Sequence, residues 1–151
     1  MSERVQNFFA RLDAARAEFA AAIAATPEAA WSQIVDGDLT RTDLIAHIEW
    51  WERRGTYEIR TLIGGGTPEI TPESLDELNA RITAESRGRE ASEVRAAEAA
   101  AWVELRAAAA GLSEEQLYDE ATFPSLEGEP LKKIIKIESS AHWADHLAHF
   151  G

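Results

Sequence analysis

The chain has 151 residues, with 27 acidic side chains against 15 lysines and arginines, a formal net charge of −12 and no cysteine. Such a surface repels phosphate backbones, and with no basic stripe and no zinc-finger spacing a nucleic-acid partner is not expected; disulfides and thiolate ligands are excluded outright. The length suits one domain over residues 1–151, no apolar run approaches the ~18 residues of a membrane span, and the opening MSERVQNFF lacks the basic and apolar regions of a signal peptide, so a cytoplasmic protein with no membrane partner is expected.

Val5, Phe8, Leu12, Ala15, Phe19 and Ile23 recur at steps of three and four, which predicts a helix from about Glu3 to Ala25. Ser2 can cap it, and Thr26-Pro27 ends it because the residue before proline avoids helical geometry. Pro27 then suits the first position of a short turn carrying Ala30 and Trp31. Val35-Asp36-Gly37-Asp38 reads as a turn, and no alternating run argues for a hairpin. Thr40 reads as an N-cap with Asp43 three residues on, a weaker form of the capping box. The helix that follows spans about Arg41 to Ile63, with Leu44, His47, Ile48, Trp51, Gly55, Ile59 and Leu62 on or near one stripe. Gly64, Gly65 and Gly66 stop it.

A helical stretch starts near Pro72 with Leu75, Leu78, Asn79 and Ile82, and Ser86-Arg87-Gly88-Arg89 interrupts or bends it. Ser92 reads as the cap of a longer helix whose inner face holds Val94, Ala97, Ala101, Leu105 and Ala108. Gly111 stands where a left-handed C-terminal residue belongs. Ser113-Glu114-Glu115-Gln116 is a capping box for a short turn that buries Leu117. Residues 119–129 read as a loop. The last helix begins near Pro130, and Leu131, Ile134, Ile135, Glu138, His142, His146 and His149 share its face. Four long helices of this kind predict an all-α four-helix bundle.

The chain has four histidines, and three lie within eight residues. His142 and His146 are four apart, so on a helix they project from one face, and two neutral imidazoles so placed can bind one divalent ion. His47 lies on the inward stripe of the second long helix, where a bundle can bring it opposite the last one. Three nitrogen ligands with an open fourth position describe a catalytic metal site. The competing reading is that histidines near a helix C-terminus merely complement its dipole. His149, two residues from the end, fits that reading best, or serves as a replacement ligand. Trp31, Trp51 and Trp102 read as packing residues. Trp50 and Trp143 flank the histidines and either pack or line a pocket, and Asn79 is either a hydrogen-bonded core amide or a pocket group. The triple glycine is not a P-loop, since it follows a helix and no Lys-Ser or Lys-Thr comes after it. No Gly-x-Ser-x-Gly nucleophile elbow is present.

Thr42-Asp43-Leu44-Ile45-Ala46-His47-Ile48-Glu49-Trp50-Trp51-Glu52 resembles the second-helix motif of DinB-like proteins, with an aspartate and an apolar pair before a histidine and an aromatic a turn later. Ala141-His142-Trp143-Ala144-Asp145-His146-Leu147 is similar to their last-helix motif, a histidine pair with an aromatic and an acid between. Residues 75–82 and 112–117 resemble segments of related members, among them the mycothiol-dependent maleylpyruvate isomerase N-terminal domains and the ClbS/DfsB-type proteins. The resemblance covers nearly the whole chain. It implies an up-down-down-up four-helix bundle, often a homodimer, and a divalent metal, commonly zinc or nickel, held by His47, His142 and His146. Family members transfer low-molecular-weight thiols or isomerise thiol adducts. ClbS-type members usually lack the second-helix histidine, so His47 favours the metal-site branch.

The expected function is therefore that of a metal-dependent thiol S-transferase, isomerase or hydrolase acting on a small electrophile, with a low-molecular-weight thiol as cosubstrate, since the chain has no thiol of its own. Glu138, one turn before His142, and Asp145, between the histidines, are the candidate catalytic carboxylates, each able to orient a ligand or move a proton. The alternatives are a non-catalytic bundle that sequesters a small molecule, as in resistance proteins, and a module that only dimerises.

Overall fold

A computed structural model describes residues 1–151 and is all-α apart from one small hairpin. In chain order the helices are α1 (Glu3–Ala25), α2 (Arg41–Ile63), α3 (Leu75–Ser86), α4 (Ala91–Ala110), α5 (Glu114–Tyr118), α6 (Leu131–Ile137) and α7 (Ser140–His146). Single 3₁₀ turns cover Glu28–Ala30, Pro124–Leu126 and Leu147–His149. No helix is long and apolar enough to cross a membrane.

Local chemistry explains most helix starts. Ser2 accepts a hydrogen bond from the Val5 amide at 3.3 Å. Thr40 Oγ1 accepts from the Asp43 amide at 3.1 Å while Asp43 Oδ2 accepts from the Thr40 amide at 2.9 Å, a complete capping box that opens α2. Reciprocal boxes at Ser74–Glu77 and Ser113–Gln116 open α3 and α5. The first of these moves the start of α3 to Leu75 from the expected Pro72.

Four further expectations are corrected. Ser92 lies inside α4, which starts at Ala91 behind Glu90 with no side-chain cap. Gly111 is not left-handed; its φ of −79° and ψ of −6° continue the helical bend, and the Leu112 amide closes the turn onto the Ala109 carbonyl at 3.1 Å. The turn at residues 35–38 belongs to a hairpin in which β1 (Ile34–Asp36) pairs antiparallel with β2 (Leu39–Thr40), Gly37 supplying a φ of 56°. Its strands are too short to show an alternating pattern.

The fourth correction shapes the site. The last helix is not continuous: α6 ends at Ile137, Ser139 takes φ −139° and ψ −97°, and α7 restarts at Ser140. The Ser139 hydroxyl donates to the Ile135 carbonyl and the Trp143 amide donates to the Ser139 carbonyl at 2.8 Å. A serine hydroxyl that takes a carbonyl from the backbone ladder bends or ends a helix without needing proline or glycine.

α2 packs along α4, with α3 beside it; α1 packs along α7, α5 against α6, and both α6 and α7 touch α2. One hydrophobic cluster of 21 buried residues runs from Val5 to Phe150. Gly55 lets the elements close on one another, since a Cβ there would meet Leu105 at 3.1 Å and Glu138 at 3.2 Å. The C-terminal end is tied to the start of α2 and the end of α1: Arg41 donates to the His149 carbonyl at 2.6 Å and to the Ala30 carbonyl at 3.0 Å, and the Gly151 amide donates to Thr26 Oγ1, the cap of α1, at 2.9 Å. Those ties bring α7 over the first turns of α2.

Candidate metal centre

His47 lies two turns into α2, and the anchored end of the chain places α7 above it. The Nε2 atoms of His47 and His142 are 2.9 Å apart. The rings of His142 and His146 lie 4.9 Å apart and those of His47 and His146 5.6 Å apart. One ligand nitrogen from each of the three histidines falls within 4.8 Å of the others. A tetrahedral zinc ion with Zn–N bonds of ~2.0–2.1 Å spaces its nitrogens ~3.3 Å apart. The spacing of the trio is thus compatible with a single ion, which His47, His142 and His146 would hold.

The electrostatics suit the same purpose. Burial, then the charge of His146, pushes His47 down to about 4. Burial, then His47 and His146, pushes His142 down to about 3. Burial also lowers His146, partly opposed by Asp145 and Asp36. At neutral pH His47 and His142 are neutral imidazoles, the form that ligates zinc or nickel. Trp51 stands edge-on to His47 at 6.4 Å, and its indole N–H donates to Asn79 Oδ1 at 3.3 Å. The amide of Asn79 thus anchors a wall of the site. Trp50 packs edge-on against Trp51 at 4.9 Å.

The two candidate carboxylates occupy different settings. Asp145 is exposed beside His146. Glu138 is 5% exposed and packs against Gly55, two turns beyond His47 and so ~12 Å along α2. Burial and the neighbouring Glu58 push it up to about 9, against a smaller opposing pull from Arg54, and its Oε2 has no hydrogen-bond partner. It therefore holds a proton at neutral pH. His149 does not join the trio; with Asp36 of the hairpin it forms a second group around His146, ligand atoms again within 4.8 Å. Asp36 is a site residue that sequence reasoning missed, because only the hairpin folds it back.

A buried polar cluster under α7 was also missed. The Trp143 indole N–H donates to Glu52 Oε1 at 2.8 Å, Arg16 Nη1 lies 3.6 Å from Glu52, and Arg16 makes a double hydrogen bond to Glu98. Glu52 is 0% and Glu98 1% exposed. Burial, then the Glu98 charge, holds the Glu52 carboxyl well above the usual range. Trp143 is thus a core residue rather than a pocket wall, and it pins α7 to α2 between the two histidines α7 carries. The available signal was spacing: Glu98 lies four residues after Val94 and Glu52 four after Ile48, carboxylates on apolar stripes.

These shifts set a pH profile for the metal-free protein. A carboxyl raised from 4.5 to about 9 binds its proton in the folded state only, so Glu138 contributes stability that is lost as pH climbs from about 4.5 towards 9. Histidines lowered from 6.5 to about 4 and about 3 stay neutral in the fold while the unfolded chain takes up protons, so stability also falls as pH drops below 6.5. The limbs meet near the unperturbed histidine value, with slopes of at most ~1.4 kcal/mol per pH unit per group. Denaturant unfolding is expected to show stability declining above that value, with Glu52, also raised by burial, adding to the alkaline limb, and Glu138→Gln is expected to make that limb shallower. An unchanged alkaline limb would place the proton elsewhere.

The sequence profile described as the DinB superfamily matches residues 11–149. No curated protein matches the chain. Among solved structures the chain is similar to a structural-genomics target from Streptococcus pneumoniae, with a TM-score of 0.78 at 16% identity over 95% of this chain and 86% of that one. It is also similar to an uncharacterised protein from Escherichia coli UTI89, with a TM-score of 0.76 at 12% identity over 94% and 87% of the two chains. At such identities the likeness is one of fold.

Proposed function

The chain belongs to the DinB superfamily, and from that premise we propose that it is a divalent-metal-dependent enzyme, a thiol S-transferase, isomerase or hydrolase acting on a small electrophile. The observation that carries the proposal is the convergence of His47, His142 and His146 from two helices, their ligand nitrogens within 4.8 Å and the first two held neutral by burial. Zinc or nickel bound there supplies Lewis acidity, lowering the pKa of a water or thiol at the open position. The chain contains no cysteine, so a thiol nucleophile enters with a low-molecular-weight cosubstrate.

The protein's own groups divide the remaining work. The three imidazoles present nitrogen lone pairs at one point. Trp51, held by Asn79, offers an indole face next to His47 for the apolar part of a substrate. Asp145 and Asp36 act through His146, favouring positive charge on that side of the site. Glu138 holds a proton in the interior on the α6 side of the α6–α7 break, two turns from His47 along α2.

The test is to load the protein with cobalt(II) and titrate a small thiol while recording the near-ultraviolet spectrum. A saturable thiolate-to-cobalt charge-transfer band, absent in His47→Ala, is the expected result. A cobalt-loaded protein that shows no such band with any small thiol would overturn the thiol-dependent reading.

A further inference from the structure

An open cleft of about 910 Å³, not lined by any histidine, lies between α1 and α6 and reaches the start of α7 at Ser140 and Ala141. All three lysines of the chain, Lys132, Lys133 and Lys136, line it together with Arg4 and Arg11. Only two acidic residues, Glu120 and Glu129, share the lining, so the cleft carries a formal charge of +3 in a protein whose total is −12. The cations come from two rows that both line the cleft. Arg4 and Arg11 are seven residues apart on one side of α1, and Lys132 and Lys136 are four apart on α6.

This arrangement works against stability in two ways. Lysines four apart on a helix repel each other. Lys132 and Lys133 also stand in the first turn of α6, where the helix dipole disfavours cations and where no acidic residue is present. With 27 acidic residues available, the sequence leaves the repulsion largely uncompensated. Arg4 pairs with Glu114 and Lys133 with Glu129, both at 2.6 Å, but Arg11, Lys132 and Lys136 have no ion-pair partner. Lys132 rests over the Tyr118 ring at 4.2 Å, and Phe8, Leu12 and Ile137, the last 51% exposed, supply an apolar floor.

We propose that this cleft binds a small organic anion, a carboxylate or phosphate ester with an apolar body. The charged head sits between Arg11 and Lys136, and the body lies on Phe8, Leu12 and Ile137. The volume falls in the range of pockets that hold drug-sized ligands, which combine an apolar lining with a few placed polar groups. The cleft uses none of the three histidines, so it stands apart from the function proposed for them.

Calorimetric titration with 2-naphthoate, 2-naphthyl phosphate and the neutral 2-naphthalenemethanol tests this, and the first two separate a carboxylate from a phosphate preference. At least one anion is expected to bind saturably and about tenfold or more tighter than the neutral alcohol, since a charge-assisted hydrogen bond is lost with the head group. The affinity is expected to fall with added salt. The double variant Arg11→Gln/Lys136→Gln, altered only at exposed positions, is expected to lose about tenfold or more while keeping wild-type metal content and helicity. Equal binding of acid and alcohol, no binding of either anion, or wild-type affinity in the double variant would overturn the proposal. So would anion binding that disappears in His47→Ala, which assigns the probe to the histidines, or a solution dimer that the double variant dissociates, which makes the face a contact between copies.

Discussion

His142→Ala is expected to abolish binding of the divalent metal proposed for the histidine trio while leaving helix content intact. The imidazole contributes one of three converging nitrogens, and its Nε2 lies 2.9 Å from that of His47. Loss of a direct ligand exceeds the ~10–100-fold affinity loss typical of removing a group that merely orients one, so retention through desalting should fail. The helix survives because α7 is fixed by Trp143 and by the anchored chain end rather than by His142. His47→Ala and His146→Ala are expected to behave alike, whereas His149→Ala, outside the trio, keeps near-stoichiometric metal. Elemental analysis of untagged protein, beside far-ultraviolet circular dichroism, reads both quantities. A His142→Ala protein with wild-type metal content would sink the site.

Trp143→Ala is expected to produce a large stability loss. Its ring is 1% exposed, stacks on Phe19 at 5.8 Å, meets Trp102 edge-on at 4.9 Å and lies 5.4 Å from the Arg16 guanidinium. Truncating a buried tryptophan costs ~3–5 kcal/mol, and orphaning the Glu52 acceptor adds ~1–3 kcal/mol. In a chain of this size each kcal/mol lowers Tm by ~2–4 °C, so the fall is of order 10 °C or more. Trp143→Phe isolates the hydrogen bond: most of the packing stays, the N–H donor goes, and the expected loss is ~1–3 kcal/mol. Because Trp143 sits between His142 and His146, Trp143→Phe should also weaken metal retention without removing a ligand. Glu52→Gln keeps an oxygen acceptor for the indole and is expected to do neither. Denaturant unfolding and metal competition on the three variants check this. If Trp143→Phe matches wild type in both, the indole–carboxyl bond does not hold α7 in place.

Much of the helical layout was legible along the chain because its causes are local. Thr40 with Asp43 and Ser113 with Gln116 announce helix starts through hydrogen bonds spanning three residues. The stripe from Leu44 to Leu62 announces the face of α2 through the 3.6-residue period alone. The break at Glu138–Ser139 has no such marker, since neither proline nor glycine is present. It forms where Ser139 takes the Ile135 carbonyl four residues back and both Glu138 and Ser139 are buried, and that burial is a tertiary circumstance. The hairpin at 34–40 escaped for a similar reason, its five strand residues being too few to display alternation.

The candidate site divides along the same line. Sequence by itself determined the donor inventory: four histidines, no cysteine, and a pair four residues apart that a helix must present on one side. Spacing within one helix is a covalent fact, so it survives any packing. Only the tertiary structure decided that His47 meets that pair across 95 positions of chain, that Asp36 and His149 gather around His146 instead, and that Glu138 lies two turns away along α2. It also decided which carboxylates lose their charge. Glu52 and Glu138 have the same side chain as the exposed glutamates, and burial beside another carboxyl is what raises each above the usual carboxylate range. Desolvation depends on every element packed around a group, and no local stretch of sequence contains that information.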